Sequence, residues 1–155
     1  MTNGETYQIR RGEAADAEDI HALVHAAYSK WVPLIGRNPL PMDVDYHEAI
    51  GRHRFDLLHK GGKLVGLIQT YEGEDCLYLE NLCIAPDEQR QGLGQRLLAH
   101  VEDMARKGGH RKIRLDTNKL FTGNVELYKR MGFVIEWEKP IIGGIHVHMC
   151  KCLGG

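Results

Sequence analysis

The stretch Gln89-Arg90-Gln91-Gly92-Leu93-Gly94 is the most informative part of this 155-residue chain. It follows a strand-like apolar run at residues 76–84 and precedes a helix-like run at residues 95–107. A strand that turns into a helix through a glycine-containing loop brings unpaired backbone N–H groups and the positive end of a helix dipole together. Because glycine has no Cβ, an anion can approach the backbone closely. The stretch therefore predicts a phosphate-binding site.

The spacing of these glycines differs from that of two widespread phosphate loops. A P-loop requires Gly-x4-Gly-Lys-Ser/Thr, which does not occur in the sequence. A dinucleotide-binding fingerprint requires a third Gly or Ala, and Leu97 occupies that position. Taken alone, the loop is also compatible with a chance glycine-rich helix start. The neighbouring sequence has to decide between these interpretations.

A Gln/Arg-x-x-Gly-x-Gly loop after a strand resembles the pyrophosphate loop of the GNAT superfamily of acyl-CoA-dependent N-acetyltransferases. The family pattern continues with Leu-Leu, a strand and a helix that ends in Leu-Tyr-x3-Gly-Phe. In that order the chain has Leu82-Cys83-Ile84, Pro86, the loop, Leu97-Leu98, Ile113-Arg114-Leu115 and Leu127-Tyr128 to Gly132-Phe133. The resemblance is close over residues 63–139 and covers the first half only by its order of elements.

The resemblance implies a fold and a cofactor. The fold would be a mixed α/β sheet of about seven strands, splayed between strands 4 and 5, with about four helices on both faces. The residues implied to bind acetyl-CoA are Leu82, Cys83 and Ile84 for the pantetheine arm, and Gln89, Arg90, Gln91, Gly92, Leu93, Gly94 and Gln95 for the pyrophosphate. A free strand N–H near Leu82 would meet the thioester oxygen, and such donors contribute about 10²–10³-fold in rate.

Hydrophobic periodicity predicts elements that agree with this order. Strands are predicted at residues 7–11, 54–60, 63–71, 76–84, 111–116, 133–139 and 145–152, and helices at about 16–29, 43–51, 92–107 and 123–131. Gly61-Gly62 predicts a two-residue hairpin turn. The proline-rich segment at residues 31–41 is expected to contain no regular helix. The length favours a single domain over residues 1–155.

Tyr128 matches the position of the family's proton donor, and the resemblance implies that it also binds the cofactor by a hydrogen bond to the leaving sulfur. A phenol with a pKa of about 10 can protonate a thiolate whose thiol has a pKa of about 8.5. A tyrosine near a helix end can equally be a core residue. The family often has a cofactor-binding Asn seven residues before this Tyr, and here Phe121 occupies that position. Asn124 could reach the cofactor instead, or could cap the helix.

Glu80 is the candidate base that deprotonates an acceptor ammonium. Strict alternation places Glu80 on the face of Leu82 and Ile84, unless a bulge intervenes. A carboxylate on a central strand is costly unless it has a partner or a function. The alternative is a structural Glu bonded to a neighbouring strand. Cys83 has no activating neighbour in the sequence, which argues against an acyl-cysteine route.

The acceptor site is expected in the irregular first half, because such loops carry specificity. The candidate residues are Tyr28, Trp31, Arg37, Met42, Asp45 and Tyr46. Aromatic and acidic groups suit an amine or an amino-acid-like acceptor, and Arg37 could pair with a carboxylate. Alternatively, Tyr28 and Trp31 merely cover the sheet.

Charge, hydropathy and cysteine spacing bear on the kind of partner and on the location of the protein. Lys+Arg of 20 against Asp+Glu of 21 predicts no nucleic-acid partner. No apolar run approaches the roughly 20 residues of a membrane span, and no signal peptide is visible. The four cysteines lack disulfide-framework spacing, so a cytoplasmic protein is expected. Alternate residues on a strand lie about 6.5–7 Å apart, which is too far for four of them to bind one metal ion. No metal site is therefore predicted at His146, His148, Cys150 and Cys152.

The sequence therefore favours an acetyl-CoA-dependent N-acetyltransferase that moves the acetyl group directly to a primary amine in a ternary complex. A small-molecule or amino-acid-like acceptor is favoured. Two alternatives stay open, namely a non-catalytic acyl-CoA-binding sensor and an enzyme that acts on protein amines. The sequence leaves open whether the chain forms a homodimer.

Overall fold

The structure, a computed structural model, describes residues 6–154 as one sheet with helices on both faces. The strands are β1 (Tyr7–Arg11), β2 (Arg54–Lys60), β3 (Lys63–Glu72), β4 (Cys76–Ile84), β5 (Lys112–Asn118), β6 (Val134–Ile141) and β7 (Gly144–Cys152). The helices are α1 (Ala17–Tyr28), α2 (Val32–Ile35), α3 (Tyr46–Arg52), α4 (Leu93–Lys107) and α5 (Thr122–Arg130). The strand order is β1-β2-β3-β4-β5-β7-β6. The predicted mixed α/β fold is confirmed.

Each face of the sheet has its own apolar core. One core joins the sheet to α4 and α5 through residues such as Leu97, Val101 and Tyr128. The other joins it to α1, α2 and α3 through Val24, Tyr46 and other buried side chains. Burial of this apolar surface, at about 25 cal/mol per Å², holds the layers together. No helix in residues 6–154 is long and apolar enough to cross a membrane.

The sheet opens between its two central strands. β4 and β5 pair in parallel only from Cys76↔Lys112 to Leu79↔Leu115. Beyond these pairs β4 stays bonded to β3 alone, and β5 to β7 alone. The far half of β4 therefore presents one unpaired backbone edge to a V-shaped cleft, as the resemblance implied.

A β-bulge lies at the point where the strands separate. The pairing of β3 with β4 passes from Gln69↔Asn81 to Thr70↔Leu79, so Glu80 has no partner residue on β3. The extra residue reverses the alternation, and Leu79 and Leu82 now belong to the same core. The expectation that Glu80 shares a face with Leu82 and Ile84 is therefore wrong, because the bulge groups Glu80 with Asn81.

The proline-rich segment contains one helical turn that the sequence did not predict. Pro33 lies in the first turn of α2, where a missing N–H breaks no helical hydrogen bond. Gly36, with φ of 74°, ends this turn. A 3₁₀ turn follows at Leu40–Asp43. α3 begins later than expected, because Asp45 accepts hydrogen bonds from the His47 and Glu48 amides as its N-cap.

Candidate active site

The predicted phosphate loop forms the N-terminus of α4. Gly92, the N-cap, has φ of 79°, and Arg90 has φ of 66°. No side chain caps this helix. The first-turn amides of Leu93, Gly94 and Gln95 have no intrahelical acceptor, which is the general condition of a helix N-terminus. A helix start of this kind favours negative charge, which is the condition for binding an anion.

The two loop glycines serve different purposes. A Cβ on Gly92 would meet no atom within 4 Å, so this position faces open space and needs glycine for its positive φ. A Cβ on Gly94 would come within 2.7 Å of Leu127 Cδ2. Gly94 therefore allows α4 to pack closely on α5. The loop motif by itself does not indicate this packing role.

A cavity of about 660 Å³ extends from this helix start along the open edge of β4. Of the predicted cofactor residues, it is lined by Leu82, Cys83, Ile84, Gln89, Arg90, Gly92, Leu93, Gly94, Gln95 and Asn124. Gln91 does not line the cavity, and its Oε1 accepts a hydrogen bond from the Tyr7 hydroxyl at 3.4 Å. Two cations that sequence reasoning missed, Lys30 and Arg130, complete the wall.

The charges of this cavity suit a polyanion. Lys30, Arg90 and Arg130 line it, and the buried Glu88 is paired with Lys60 Nζ at 3.2 Å. Lys30 Nζ donates to Gln89 Oε1 at 3.0 Å, and Gln89 Nε2 donates to the Ile84 carbonyl at 3.1 Å. Burial and the nearby Arg90 lower the pKa of Lys30. The loop is thus tied to the end of β4, and the three cations outnumber the one other carboxylate on the wall, that of Glu126.

A second recess, of about 220 Å³, continues the cleft beyond the bulge. It shares Tyr28, Leu82 and Asn124 with the larger cavity, so the two spaces meet at the splay. Its polar lining includes Arg37, Glu80, Asp116, Tyr128 and His146. A group bound in the recess would therefore approach a group bound along β4 beside Leu82.

Tyr128 is a buried residue on the wall of the recess. Only 5% of it is exposed, and its hydroxyl has no hydrogen-bond partner in residues 6–154. Burial, reinforced by Cys83, raises its pKa well above the ordinary value. The hydroxyl therefore carries its proton at neutral pH. Burial likewise raises the pKa of the Cys83 thiol, which makes Cys83 a poor nucleophile.

Glu80 lies in the recess without a hydrogen-bond or ion-pair partner among the described residues. Partial burial, and then the nearby Asp116, raise the pKa of its carboxyl group, while Arg52 opposes them. The alternative of a structural glutamate bonded to a neighbouring strand does not match this geometry. A carboxylate so placed can attract a cation that enters the recess.

The predicted acceptor residues separate into three places. Tyr28 and Arg37 line the recess, where the Tyr28 hydroxyl donates to Asn81 Oδ1 at 2.7 Å. Trp31 lines the larger cavity and stacks on Phe121 with ring centroids 4.7 Å apart. The remaining three candidates lie elsewhere.

Met42, Asp45 and Tyr46 line neither of these two cavities, so their role in acceptor binding stays a prediction. Met42 and Tyr46 are buried in the core beside α1, and Asp45 caps α3. The Tyr46 hydroxyl donates to the Pro41 carbonyl at 2.7 Å. A proline-rich segment has no period from which inward-facing positions could be read.

Asn124 lies in the first turn of α5 and lines both cavities. Phe121 is the N-cap of this helix, and no side chain forms a capping hydrogen bond. The capping alternative for Asn124 is therefore wrong. Its side chain is available to a bound molecule at the junction.

Sequence reasoning missed Asp116 and His146, which bring a second carboxylate and an imidazole to the recess. His146 Nε2 and His148 Nδ1 each lie 2.8 Å from Asp116 Oδ1. The alternating histidines of β7 were a signal, but they were weighed only as metal ligands. Within the described range, no group of three or more His, Cys, Asp and Glu side chains could hold a metal ion.

Comparison with known proteins identifies the family. The sequence model of the acetyltransferase (GNAT) family matches residues 18–133. The match covers most of the chain, so this chain belongs to the GNAT family of acetyltransferases.

Two relatives and one solved structure illustrate the relationship. UPF0157 protein YqkA of Bacillus subtilis (strain 168) is 32% identical over 127 residues, which are 81% of this chain and 36% of that protein. Ribosomal protein bS18-alanine N-acetyltransferase of Escherichia coli (strain K12) is 34% identical over 76 residues, which are 49% of this chain and 51% of that enzyme. The chain thus spans only about half, or less, of the length of these two relatives.

The fold of the PaiA N-acetyltransferase of Thermoplasma acidophilum, solved in complex with coenzyme A, is similar to that of this chain. The TM-score is 0.83 at 18% identity, over 96% of this chain and 99% of that chain. At this identity the likeness concerns the fold. The arrangement of strands that opens the cleft is therefore shared.

Proposed function

We propose that this protein is an acetyl-CoA-dependent N-acetyltransferase, with residues 1–155 acting as one domain, and that it transfers the acetyl group directly to a primary amine. One observation carries the proposal. The uncapped start of α4 and the unpaired edge of β4 open into the same cavity, and an acidic recess meets that cavity at Leu82. Donor and acceptor can therefore be bound together in one cleft.

The cavity fits the chemistry of coenzyme A. The diphosphate would lie against the amides of Leu93, Gly94 and Gln95, and Lys30, Arg90 and Arg130 would neutralise its charge. The amides of the pantetheine arm would pair with the free edge of β4 at Leu82, Cys83 and Ile84. The Thermoplasma acidophilum protein of similar fold is described with coenzyme A bound, which supports this choice of donor.

The recess residues suit attack by an amine on a thioester. Acetyl-CoA supplies an activated acyl group. The N–H of Leu82 would stabilise negative charge that develops on the thioester oxygen. Tyr128, which stays protonated, would donate its proton to the departing sulfur. Glu80 would attract the acceptor ammonium. The raised pKa of the Cys83 thiol supports direct transfer over an acyl-cysteine route.

The size and charge of the recess favour a small amine or an amino-acid-like acceptor. A space of about 220 Å³ with Glu80 and Asp116 on its wall suits a compact cation. Arg37, which lines the same recess, could pair with an acceptor carboxylate. The similarity to the Escherichia coli enzyme that acetylates a ribosomal-protein alanine favours the second candidate, a protein N-terminus.

The experiment that tests the proposal is a calorimetric titration with acetyl-CoA and with coenzyme A, followed by an acetylation assay. The acceptor panel should contain amino acids, alkylamines, diamines and a peptide with N-terminal alanine. We expect one-to-one binding of acetyl-CoA and release of free thiol with at least one acceptor. Binding without transfer to any acceptor would favour a non-catalytic acyl-CoA sensor. No binding at millimolar concentration would overturn the proposal.

A further inference from the structure

We propose that Tyr28 limits the length of the acyl group that this protein transfers, so that acetyl-CoA is preferred over thioesters with longer chains. The proposal rests on the proposed acetyl transfer. It adds a determinant of donor specificity, which neither the diphosphate site nor the charges of the acceptor recess supply by themselves.

Tyr28 lies where the two cavities meet. It lines both of them, as do Leu82 and Asn124. The pantetheine arm is proposed to follow the free edge of β4 as far as Leu82, which places the thioester at this junction. The carbon chain of the acyl group therefore starts beside Tyr28.

Two tyrosines approach the junction from opposite faces of the sheet. Tyr28 belongs to the core that joins α1 to the sheet, and Tyr128 to the core that joins α4 and α5 to it. Burial raises the pKa of Tyr28 well above its ordinary value, and interactions with Cys83, Tyr128 and Glu80 add to the rise. The Tyr28 hydroxyl is thus an electrostatic neighbour of the proposed proton donor and of the carboxylate proposed to attract the amine. The reacting atoms would lie beside it.

The Tyr28 hydroxyl is held by a buried hydrogen bond. It donates to Asn81 Oδ1 at 2.7 Å, and Asn81 Nδ2 donates in turn to the Tyr46 hydroxyl at 3.5 Å. Tyr28 is 7% exposed and Asn81 is 4% exposed. If Tyr28 turned aside, the buried carbonyl of Asn81 would lose this bond without gaining one to water, which is costly. The side chain therefore does not make room for a larger ligand.

Two further aromatic rings continue this surface across the cleft. The Phe121 ring packs edge-on against Tyr28 with ring centroids 6.4 Å apart, and it stacks on Trp31 at 4.7 Å. Phe121 lines the recess, whereas Trp31 lines the larger cavity. We call these three rings the aromatic wall. Each ring supports the next, so the wall resists displacement as a unit.

A longer acyl chain meets an obstacle in each direction from the thioester. The paired part of β4 and β5 closes the junction at one end, and Tyr128 lies on the side of α5. Toward α1 the chain meets Tyr28. Toward the recess it occupies the space of about 220 Å³ in which the amine must bind. An acetyl group ends at its methyl carbon and avoids these conflicts.

The test measures kcat/KM for acetyl-, propionyl- and butyryl-CoA with the best acceptor of the panel at saturation. We expect the wild-type chain to lose about 10-fold or more in kcat/KM per added methylene, because one methylene in a close-fitting apolar site changes this quantity by about 10–200-fold. Tyr28→Leu removes the ring and should raise the ratio of butyryl to acetyl transfer by about 10-fold or more. Because the ratio compares two donors on the same enzyme, partial loss of folded protein does not alter it.

Tyr28→Phe separates the bulk of the side chain from its hydroxyl group. The ring stays in the aromatic wall and still packs against Phe121, so Y28F should change the ratio less than Y28L does. Phe121→Leu opens the aromatic wall at its second ring. It should raise the same ratio, and it replaces Y28L if that variant does not fold.

Tyr46→Leu is the matched control. Tyr46 is 2% exposed and contacts the same Asn81, but it lines neither cavity. Y46L should lower the melting temperature, because it also truncates a buried side chain, and it should keep the wild-type ratio of butyryl to acetyl transfer.

The outcomes separate the role of Tyr28 from the acetyl transfer. If the wild-type chain has equal kcat/KM for butyryl-CoA and acetyl-CoA, or if Y28L, or F121L in its place, leaves the ratio unchanged, the role of Tyr28 is overturned and the proposed function stands. An equal change in Y28L and Y28F would also overturn it, since only Y28L removes the ring. If the wild-type chain acetylates no amine of the panel, the proposed function fails, and the role of Tyr28 fails with it.

Discussion

At the scale of single residues, Tyr128 shows how burial keeps a phenol protonated. Its hydroxyl has no hydrogen-bond partner in residues 6–154, and burial raises its pKa. Cys83, its electrostatic neighbour, is likewise kept neutral. A phenol that stays protonated and unbonded beside an open cleft can donate to whatever group arrives there.

We predict that Tyr128→Phe lowers kcat by about 10²-fold with little change in acetyl-CoA affinity, because the ring packing is kept and only the proton is lost. Steady-state kinetics and calorimetry measure the two quantities. Tyr46→Phe is the matched control. Tyr46 is also buried and also has a raised pKa; its hydroxyl donates to the Pro41 carbonyl, and Tyr46 itself lines neither cavity. An unchanged kcat in Y128F would show that Tyr128 is only a core residue.

At the scale of elements, α4 offers a controlled comparison between its two ends. Gly92 before the helix and Gly109 after it have φ of 79° and 76°, and a Cβ on either would meet no atom within 4 Å. An L-residue in the left-handed region costs about 1–2 kcal/mol at either position. Only Gly92 lines the cavity proposed for the diphosphate.

We therefore predict that Gly92→Glu and Gly109→Glu both lower the melting temperature, but that only G92E loses acetyl-CoA affinity, by more than about 10²-fold. The carboxylate at position 92 would repel the diphosphate at the positive end of the helix. Thermal unfolding and calorimetry distinguish the two effects. If G92E bound acetyl-CoA with wild-type affinity, the proposed position of the diphosphate at the start of α4 would be wrong.

The bulge in β4 could be predicted from the sequence, but the residue that stays unpaired in it could not. Leu77 and Leu79 keep one phase of alternation, whereas Leu82 and Ile84 keep the other. This change of phase predicts a bulge between residues 79 and 82, and it could have been read from the sequence. Which of the two intervening residues stays unpaired depends on the register with β3, a long-range property.

The acceptor recess was the least predictable element, because distant segments build it. Glu80 and the loop at residues 89–94 belong to a continuous local pattern, and the structure places both in the cleft. Asp116 and His146 lie thirty positions apart and meet only because β7 inserts between β5 and β6. No local pattern encodes that strand order. Recognition by family resemblance supplied the fold, but not these side chains.

At the scale of the whole molecule, Asp56 links the sheet to α4. It is only 2% exposed and accepts hydrogen bonds from Arg54 Nε at 2.9 Å and Nη2 at 3.1 Å. His100 Nε2 of α4 lies 3.1 Å from its Oδ2. Burial by itself raises the pKa of Asp56, but the hydrogen bonds from His100 and Arg54 outweigh it, and the net pKa is lowered.

This shift predicts a dependence of stability on pH. Because the folded pKa lies below the unfolded value of about 3.9, Asp56 stabilises the fold above that pH and loses its contribution as the pH falls through the folded pKa. Asp56→Asn should lower the free energy of unfolding by about 1–3 kcal/mol at pH 7 and flatten the loss below about pH 4. Urea unfolding at a series of pH values measures both changes.

Asp87→Asn is the control, since Asp87 forms an exposed ion pair with Lys63 at 3.6 Å. Such a pair contributes at most about 1 kcal/mol, so D87N should follow the wild-type curve. An acid limb in D56N as steep as that of the wild type would show that other carboxylates govern acid unfolding.

The two ends of the cleft are built from different chemical groups. The start of α4 presents main-chain N–H groups, which every residue except proline possesses, so that end persists under most substitutions provided that glycine remains at position 92. The recess presents side chains from seven helices and strands, among them Tyr28, Glu80 and His146, and each substitution there alters its chemistry. The donor end of the cleft therefore depends on backbone conformation, whereas the acceptor end depends on side-chain identity. Substitutions in the recess can change the acceptor while the backbone site for the donor is kept.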